Sequence, residues 1–505
     1  MRNQRVLVFC ILLLQPFLVP SLAQGVLDPG QSDAITAFVE SKMADVRLVP
    51  GLSVAVVRGD RIVYEQGFGL RDVERKLPVT PQTVFYTASL MKAFTGMTAS
   101  VLDARGQIDL DTSLRQAFPG LTLSAPLSAD RITLRGLLRQ APGFTNGAIN
   151  FLSSFVGRMA EADLRRALES FSVPNGGEFV YANTNYVLAA EAMERLTHRP
   201  WQKLIAETVF RDLGMSHSFL AVDSFSKSQQ ALPYFTNRAR FELLPVSKSD
   251  TTINGAGGFF STAHDIARFV DANLNEGRLD GRQALPAAAV FEAQRAQVML
   301  NATFFEYDRF AYGLGLYHSN YDGKVLLHHF GATRGYRSHM SFMPEKQLGV
   351  VVLQNEGGDG SEFADVVATY IYDLLLGKTD ALATATGRAA ALKAKAARDQ
   401  AARDGGWLGE LERLKVNPLP SSLRVKLLAG VYESERLGRM RITLKAGRPW
   451  VSYGALSAEL VPSGPDEFLV NWLPSDPPER FRFRSNDSQV SGLDWGNRPF
   501  RRTGR

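Results

Sequence analysis

The chain has 505 residues, a formal net charge of +6, 45% hydrophobic and 21% charged residues. That length exceeds what one core usually organises and calls for two or more domains. So small a positive excess, two charges of it in Arg2 and Arg5, gives no electrostatic case for a nucleic-acid partner.

Residues 1–23 read as a signal peptide. Arg2 and Arg5 precede the apolar run Val6 to Leu14, and Ser21-Leu22-Ala23 supplies a cleavage site. Gln15, Pro16 and Pro20 break the run short of the roughly 20 apolar residues that a membrane span needs. The single cysteine, Cys10, falls inside this leader, so the mature chain has no thiol, disulfide or cysteine metal site. Export to a bacterial periplasm or beyond the cell follows as the expectation, with no membrane span in the mature chain.

Ile35, Phe38, Val39, Met43 and Val46 mark an amphipathic first helix. Leu52 to Val57 and Arg61 to Gly67 read as a hairpin turning at Gly59-Asp60. The stretch Tyr86 to Phe94 then places Ser89 three residues before Lys92. Met91, Phe94, Met97, Val101 and Leu102 recur at helical spacing and Gly106 stops the run, so a helix starts at or just after Ser89. Residues i and i+3 share a helix face, which brings the lysine stem beside the serine hydroxyl. A serine needs a base, and a lysine serves only when its pKa falls from about 10.4; three units of lowering cost roughly 4 kcal/mol. Ser224 and Lys227 repeat the spacing, but in a polar stretch without an apolar helix behind it.

Tyr181 and Asn183 form a Tyr-x-Asn before the apolar helix Val187 to Leu196, at a junction where side chains project into a cleft. A tyrosine passes protons and an asparagine holds a lysine or a carbonyl; an aromatic on the core beside a capping asparagine is the plainer alternative. His329, Phe330 and Gly331 follow a strand Lys324 to Leu327 and precede a hairpin of Arg337 to Phe342 and Leu348 to Gln354. The glycines there admit a ligand close to the strand backbone. No His-Glu-x-x-His or comparable spacing offers a metal site.

Thr379 to Lys415 is rich in Ala, Lys and Arg and reads as a solvated helical linker. Beyond it Leu427 to Tyr432, Arg439 to Ala446, Pro449 to Tyr453, Glu467 to Trp472, Arg480 to Arg484 and Gln489 to Trp495 read as strands of a small barrel. The bases Arg498, Arg501, Arg502 and Arg505 read as a solvated tail.

Ser-x-x-Lys, Tyr-x-Asn and His-x-Gly, in that order, resemble the serine β-lactamase and penicillin-binding-protein superfamily, in particular its class C β-lactamase, esterase and D-aminopeptidase branch. Supporting stretches include Gly51 to Val57, Leu213 to Ser216, Gly255 to Phe269 and Gly349 to Asn355. The resemblance implies an α/β (α+β) fold, an antiparallel sheet flanked by helices with an all-helical subdomain, over residues 24–378. The 379–415 linker and a lipocalin-like all-β domain over 416–505 follow. It implies that Ser89 forms an acyl-enzyme, that Lys92 and Tyr181 carry its proton, and that Asn183 positions them. By the same resemblance the amides of Ser89 and Ala332 form the oxyanion hole and His329 takes the third motif position; the residues themselves, not the resemblance, suggest Gly331 and Arg334 as substrate contacts.

Two departures stand out. Gln140-Ala141-Pro142-Gly143 replaces the usual His-Thr-Ser-Gly, and histidine replaces the lysine of Lys-Thr-Gly, which weakens the hold on a β-lactam carboxylate unless Arg334 or Arg337 supplies the charge. Arg334 is the better candidate grip, a surface arginine on a hairpin loop the plainer alternative. An exported serine hydrolase acting on esters or on amides of D-amino acids or small peptides is the expected function, without cofactor or metal and with a small-molecule or peptide substrate as partner. A class C-like β-lactamase and a catalytically silent binding or sensor protein are the alternatives; oligomeric partners are not legible.

Overall fold

A computed structural model describes residues 27–244, 248–416, 422–474, 476–486 and 489–504. The leader read over residues 1–23 lies outside them. No helix among the described residues is long and apolar enough to cross a membrane.

Period-two patterning sets the sheet. Along Gly51–Arg58, Leu52, Val54 and Val56 enter one apolar core while Ala55 and Val57 enter another, because successive strand side chains point to opposite faces. A strand buried on both faces belongs in the middle, and this one pairs antiparallel with Leu348–Gln354 and with Arg61–Asp72. The full sheet has nine strands in the order Val298–Phe304, Tyr307–Tyr312, Tyr317–Tyr321, Lys324–Thr333, Tyr336–Met343, Leu348–Gln354, Gly51–Arg58, Arg61–Asp72 and Leu77–Pro78. Helices Pro29–Val46 and Phe363–Leu375 cover one face, and Met91–Ala104 and Ala263–Leu274 the other. A separate cluster with Leu110, Leu137, Ile149, Leu168 and Leu188 forms an all-helical layer beside the sheet.

Helix Met91–Ala104 is buried continuously from Met91 to Leu102, as a helix apolar on every side must be. It threads between sheet and helical layer so closely that a Cβ on Gly96 would lie 1.8 Å from the Leu314 carbonyl oxygen.

The alanine-rich stretch is helical, Ala381–Gly405 and Trp407–Lys415, but it is not a free tether. Ala381, Ala385, Ala389, Leu392 and Ala396 form one buried stripe in the core shared with the first helix. Arg403 bridges Asp359, and Arg388 bridges Asp373 and Glu306. Small side chains let the helix lie close while its charged face stays wet.

The C-terminal region closes into a barrel of eight strands, two more than the sequence pattern suggests. Leu456–Pro462 is one of the additions. The other, Arg498–Gly504, pairs with Gly430–Ser434 and seals the barrel, so the arginine-rich terminus is a strand rather than a solvated tail. Phe500 is fully buried there between the exposed Pro499 and Arg501. Leu427 and Leu428 belong to helix Ser422–Leu428, and the first barrel strand begins only at Gly430. The barrel docks on helix Gly147–Phe155: the Phe151 ring lies 5.5 Å from those of Tyr453 and Trp495, and the Ala455 amide donates to the Phe155 carbonyl at 2.7 Å.

Candidate active site

Ser89 sits in a 3-10 turn, Ala88–Leu90, that feeds directly into helix Met91–Ala104. Ala88 has φ 50, a left-handed conformation that costs a non-glycine residue about 1 kcal/mol or more and persists only when its surroundings impose it. They do. The Tyr86 hydroxyl donates to the Gly257 carbonyl at 2.9 Å, the Thr87 hydroxyl to the Phe259 carbonyl at 2.9 Å, and the Ser338 hydroxyl to the Thr87 carbonyl at 2.7 Å.

Strand Lys324–Thr333 runs on through His329 and Ala332 instead of ending at Leu327, paired residue for residue with Tyr336–Met343. The space that the sequence assigns to a ligand at Gly331 is filled by the chain itself: a Cβ there would stand 2.0 Å from the Thr87 carbonyl oxygen. Glycine thus lets this strand press on the backbone of the nucleophile's turn.

Lys92 is fully buried. Its Nζ lies 2.7 Å from Asn183 Oδ1, 2.7 Å from the Ala256 carbonyl oxygen and 3.3 Å from Ser89 Oγ. Desolvation drives its pKa well below that of an ordinary lysine. A neutral amine has two N–H donors and one lone pair. The two short contacts use the donors on oxygens that only accept, and the lone pair is left for the Ser89 hydroxyl proton. The Ala256 carbonyl has no side-chain signature in the sequence.

Tyr181 stands at the mouth of this pocket, its residue 39% exposed, with Lys92 Nζ 4.7 Å from its ring centre. Enclosure of the hydroxyl end and the neighbouring Tyr317 push its pKa up, against the pull of the Ser89 hydroxyl and Arg309, so the phenol keeps its proton and can donate it. Asn183 begins helix Asn183–Thr197. The junction is held by Gln140, whose carbonyl accepts from the Val180 amide at 2.9 Å and whose side-chain oxygen accepts from the Ala182 amide at 3.1 Å and Asn185 Nδ2 at 2.6 Å. The Gln140 departure is therefore the clamp on Tyr181 and Asn183.

His329 is buried, and its ring lies 6.0 Å from that of Tyr181. Nδ1 lies 2.8 Å from the Phe330 carbonyl, an acceptor only, so Nδ1 carries the hydrogen. Burial above all pushes its pKa well below the ordinary histidine value. The ring is neutral, and Nε2 has no hydrogen-bond partner among the described residues.

Arg334 already grips a carboxylate, that of Asp476 in the barrel, with Nε 3.2 Å from Oδ2 and a second contact through Nη2. Both residues line a cleft of about 350 Å³ between the two domains, together with Ala332, Lys248, Leu456 and Leu473. Neither Lys248 nor Asp476 carries a local sequence pattern that marks it. The second Ser-x-x-Lys lies apart on an exposed loop, where the Ser224 hydroxyl donates to the Ala221 carbonyl at 2.6 Å and Lys227 to the Val222 carbonyl. Among the described residues no cluster of three His, Cys, Asp or Glu could hold a metal ion.

A serine bonded to a buried lysine, set between a helical layer and an antiparallel sheet, defines a β-lactamase-like and penicillin-binding-protein-like architecture, a superfamily of, in general, serine hydrolases. The Beta-lactamase family model matches residues 35–371, and the chain belongs to that family. Protein flp of Staphylococcus aureus (strain COL) is 24% identical over 311 residues, 61% of this chain and 60% of that protein. A D-aminopeptidase of Gluconobacter oxydans is 26% identical over 338 residues, 64% and 60% of the two chains. These alignments thus span about three fifths of the relatives' length.

Among solved structures, the octameric penicillin-binding protein homologue from Pyrococcus abyssi superposes with a TM-score of 0.58 at 22% identity, over 93% of this chain and 99% of that one. A class C beta lactamase from Rhodobacter sphaeroides gives 0.55 at 22% identity, over 68% of this chain and all of the other. At such identities both show the fold.

Proposed function

We propose that the protein is an exported serine hydrolase that works through an acyl-enzyme on esters or on amides of D-amino acids and small peptides. The observation that carries this reading is the buried Lys92 amine, 3.3 Å from Ser89 Oγ and 2.7 Å from each of the Asn183 Oδ1 and Ala256 carbonyl oxygens, with its pKa driven down by desolvation. In the first step Ser89 Oγ attacks the carbonyl as Lys92 Nζ takes its proton, and the amides of Ser89 and Ala332 receive the oxyanion. The bond to the leaving group then breaks as a proton passes to it from Lys92 by way of the Tyr181 hydroxyl. Water, activated by the same pair, hydrolyses the acyl-enzyme. A neutral His329 offers no charge to a substrate carboxylate, which favours esters and D-amino amides over penicillins anchored at that strand. The D-aminopeptidase among the relatives is consistent with this preference.

A fluorophosphonate label located by mass spectrometry tests the nucleophile, and a panel of nitrophenyl esters, D-alanyl anilides and nitrocefin tests the substrate. Labelling at Ser89 with turnover of esters or anilides is the expected result. Efficient nitrocefin hydrolysis would move the reading to a β-lactamase, and an unlabelled Ser89 without turnover to a silent binding protein.

A further inference from the structure

The interdomain cleft contains a cation that the chemistry above does not use. Lys248 Nζ donates to the Ser154 carbonyl at 3.2 Å and lies 5.7 Å from the ring centre of Tyr86, three residues before the nucleophile. Among the described residues no carboxylate lies within ion-pair distance of it. An ammonium has three donors, and here one carbonyl and one aromatic face are its partners. Among the described residues the one acid lining the same cleft, Asp476, is already paired with Arg334, so the described lining keeps one uncompensated positive charge. Ala332, the expected oxyanion-hole residue, lines the cleft as well. Desolvation lowers the Lys248 pKa to about 8, as burial without a counter-ion must.

We propose that Lys248 is a specificity-determining residue that receives a carboxylate carried by the substrate, in the place where a lysine on the third motif's strand is missing. This deepens the serine-hydrolase reading and rests on it for the kinetic part of its test. Lys248 and, from strand Lys324–Thr333, Ala332 and Thr333 line the same cleft. The barrel residues Leu456 and Leu473 supply an apolar part of the same lining. The substrate class is then an ester or amide with one free carboxylate.

The test compares p-nitrophenyl hydrogen succinate with p-nitrophenyl butyrate, which differ chiefly in that carboxylate. In the full chain the wild type should prefer the succinate. Lys248→Met should lower the succinate-to-butyrate ratio of kcat/KM tenfold or more, through KM, and Lys248→Arg should retain most of the preference, which a purely structural role would not. In parallel, saturation-transfer NMR of ethyl hydrogen succinate on Ser89→Ala should lose its signal when Lys248→Met is added. An unchanged ratio with an unchanged NMR signal would overturn the proposal, as would equal losses on both esters. If Ser89 takes no label and neither ester turns over, the hydrolase reading fails, and the NMR arm alone decides for or against Lys248.

Discussion

Ser89 and Ser224 each stand three residues before a lysine, and the two copies of that spacing meet different surroundings. Lys92 is enclosed in the core with two oxygen acceptors and a serine around its amine. Lys227 lies over the Phe225 ring on an exposed loop, half of its side chain in solvent. Ser224 turns back to its own loop's carbonyl. Adjacency along the chain is thus the cheap part of a nucleophile–base pair. The chemistry comes from what desolvates the amine and from how many acceptors are offered to it, and only the first site has a helix sealed on all sides to do so.

The comparison breaks most visibly at the two serines. Ser89→Ala should remove covalent labelling and lower turnover by on the order of a million-fold, the scale on which nucleophile loss acts in serine hydrolases. Ser224→Ala should change neither. A label found on Ser224 by peptide mapping would reverse the assignment of the whole site.

The lysines give the next largest contrast. Lys92→Met should cost about 10²- to 10⁴-fold in kcat, the range for loss of a general base, while Lys227→Met should be kinetically silent. The pH profile carries the sign. Lys92 acts as a base, so kcat/KM should rise with pH through a pKa held below the usual lysine value by burial. Lys92→Met should abolish that rising limb, and Lys227→Met should leave it in place. A wild-type profile flat across neutral pH and rising only near 10 would show that the amine is not desolvated in solution.

Asn183 sharpens the same point, because it stands at one of the two acceptors that orient Lys92. Asn183→Leu removes an acceptor that favours the ammonium, so the lysine pKa should fall further and the rising limb should move to lower pH. The plateau should drop about ten- to hundredfold, as losing a buried hydrogen bond of 1 to 3 kcal/mol implies. A plateau loss with the limb moving alkaline would mean that Asn183 acts on substrate rather than on Lys92.

What was legible beforehand follows range. The Ser89 helix, the hairpin after Ala332 and the Asn183 helix rest on local spacing; the structure places the first two as read and starts the third at Asn183, four residues before the expected Val187. The Ala256 carbonyl and the Gln140 clamp could not be read, because backbone oxygens have no side-chain signature and Gln140 acts across forty residues. In the barrel, Arg498–Gly504 looked like a tail because its outward positions are arginines. The inward signal is essentially one residue, Phe500; of its two partner strands, Val490–Trp495 is adjacent in the chain, and only Gly430–Ser434, which closes the barrel, lies nearly seventy residues away. The alanine-rich linker misled in the other direction: its polar face is the common composition of a wet helix, and the stripe that buries it is made of alanines that carry little hydrophobic contrast.

The smallest expected effect belongs to the pair Arg334 and Asp476. Sequence context offers Arg334 as a grip for a substrate carboxylate, whereas in the structure the carboxylate it holds is that of the barrel. Both side chains are partly exposed, 40% and 30%, and an ion pair in such a setting contributes about 0 to 1 kcal/mol. Arg334→Ala and Asp476→Ala should therefore lower thermal stability by similar small amounts, and a double-mutant cycle should return a coupling under about 1 kcal/mol. Hydrolysis of neutral esters should change little in either variant. The two variants separate on anionic substrates. Asp476→Ala frees Arg334 and raises the positive charge of the cleft, so the preference for a carboxylate-bearing ester should grow, while Arg334→Ala frees the Asp476 charge and should weaken it. If Arg334→Ala alone costs tenfold on anionic esters and Asp476→Ala leaves the preference untouched, the arginine leaves the barrel to meet substrate, and the interdomain pair is a resting contact that turnover displaces.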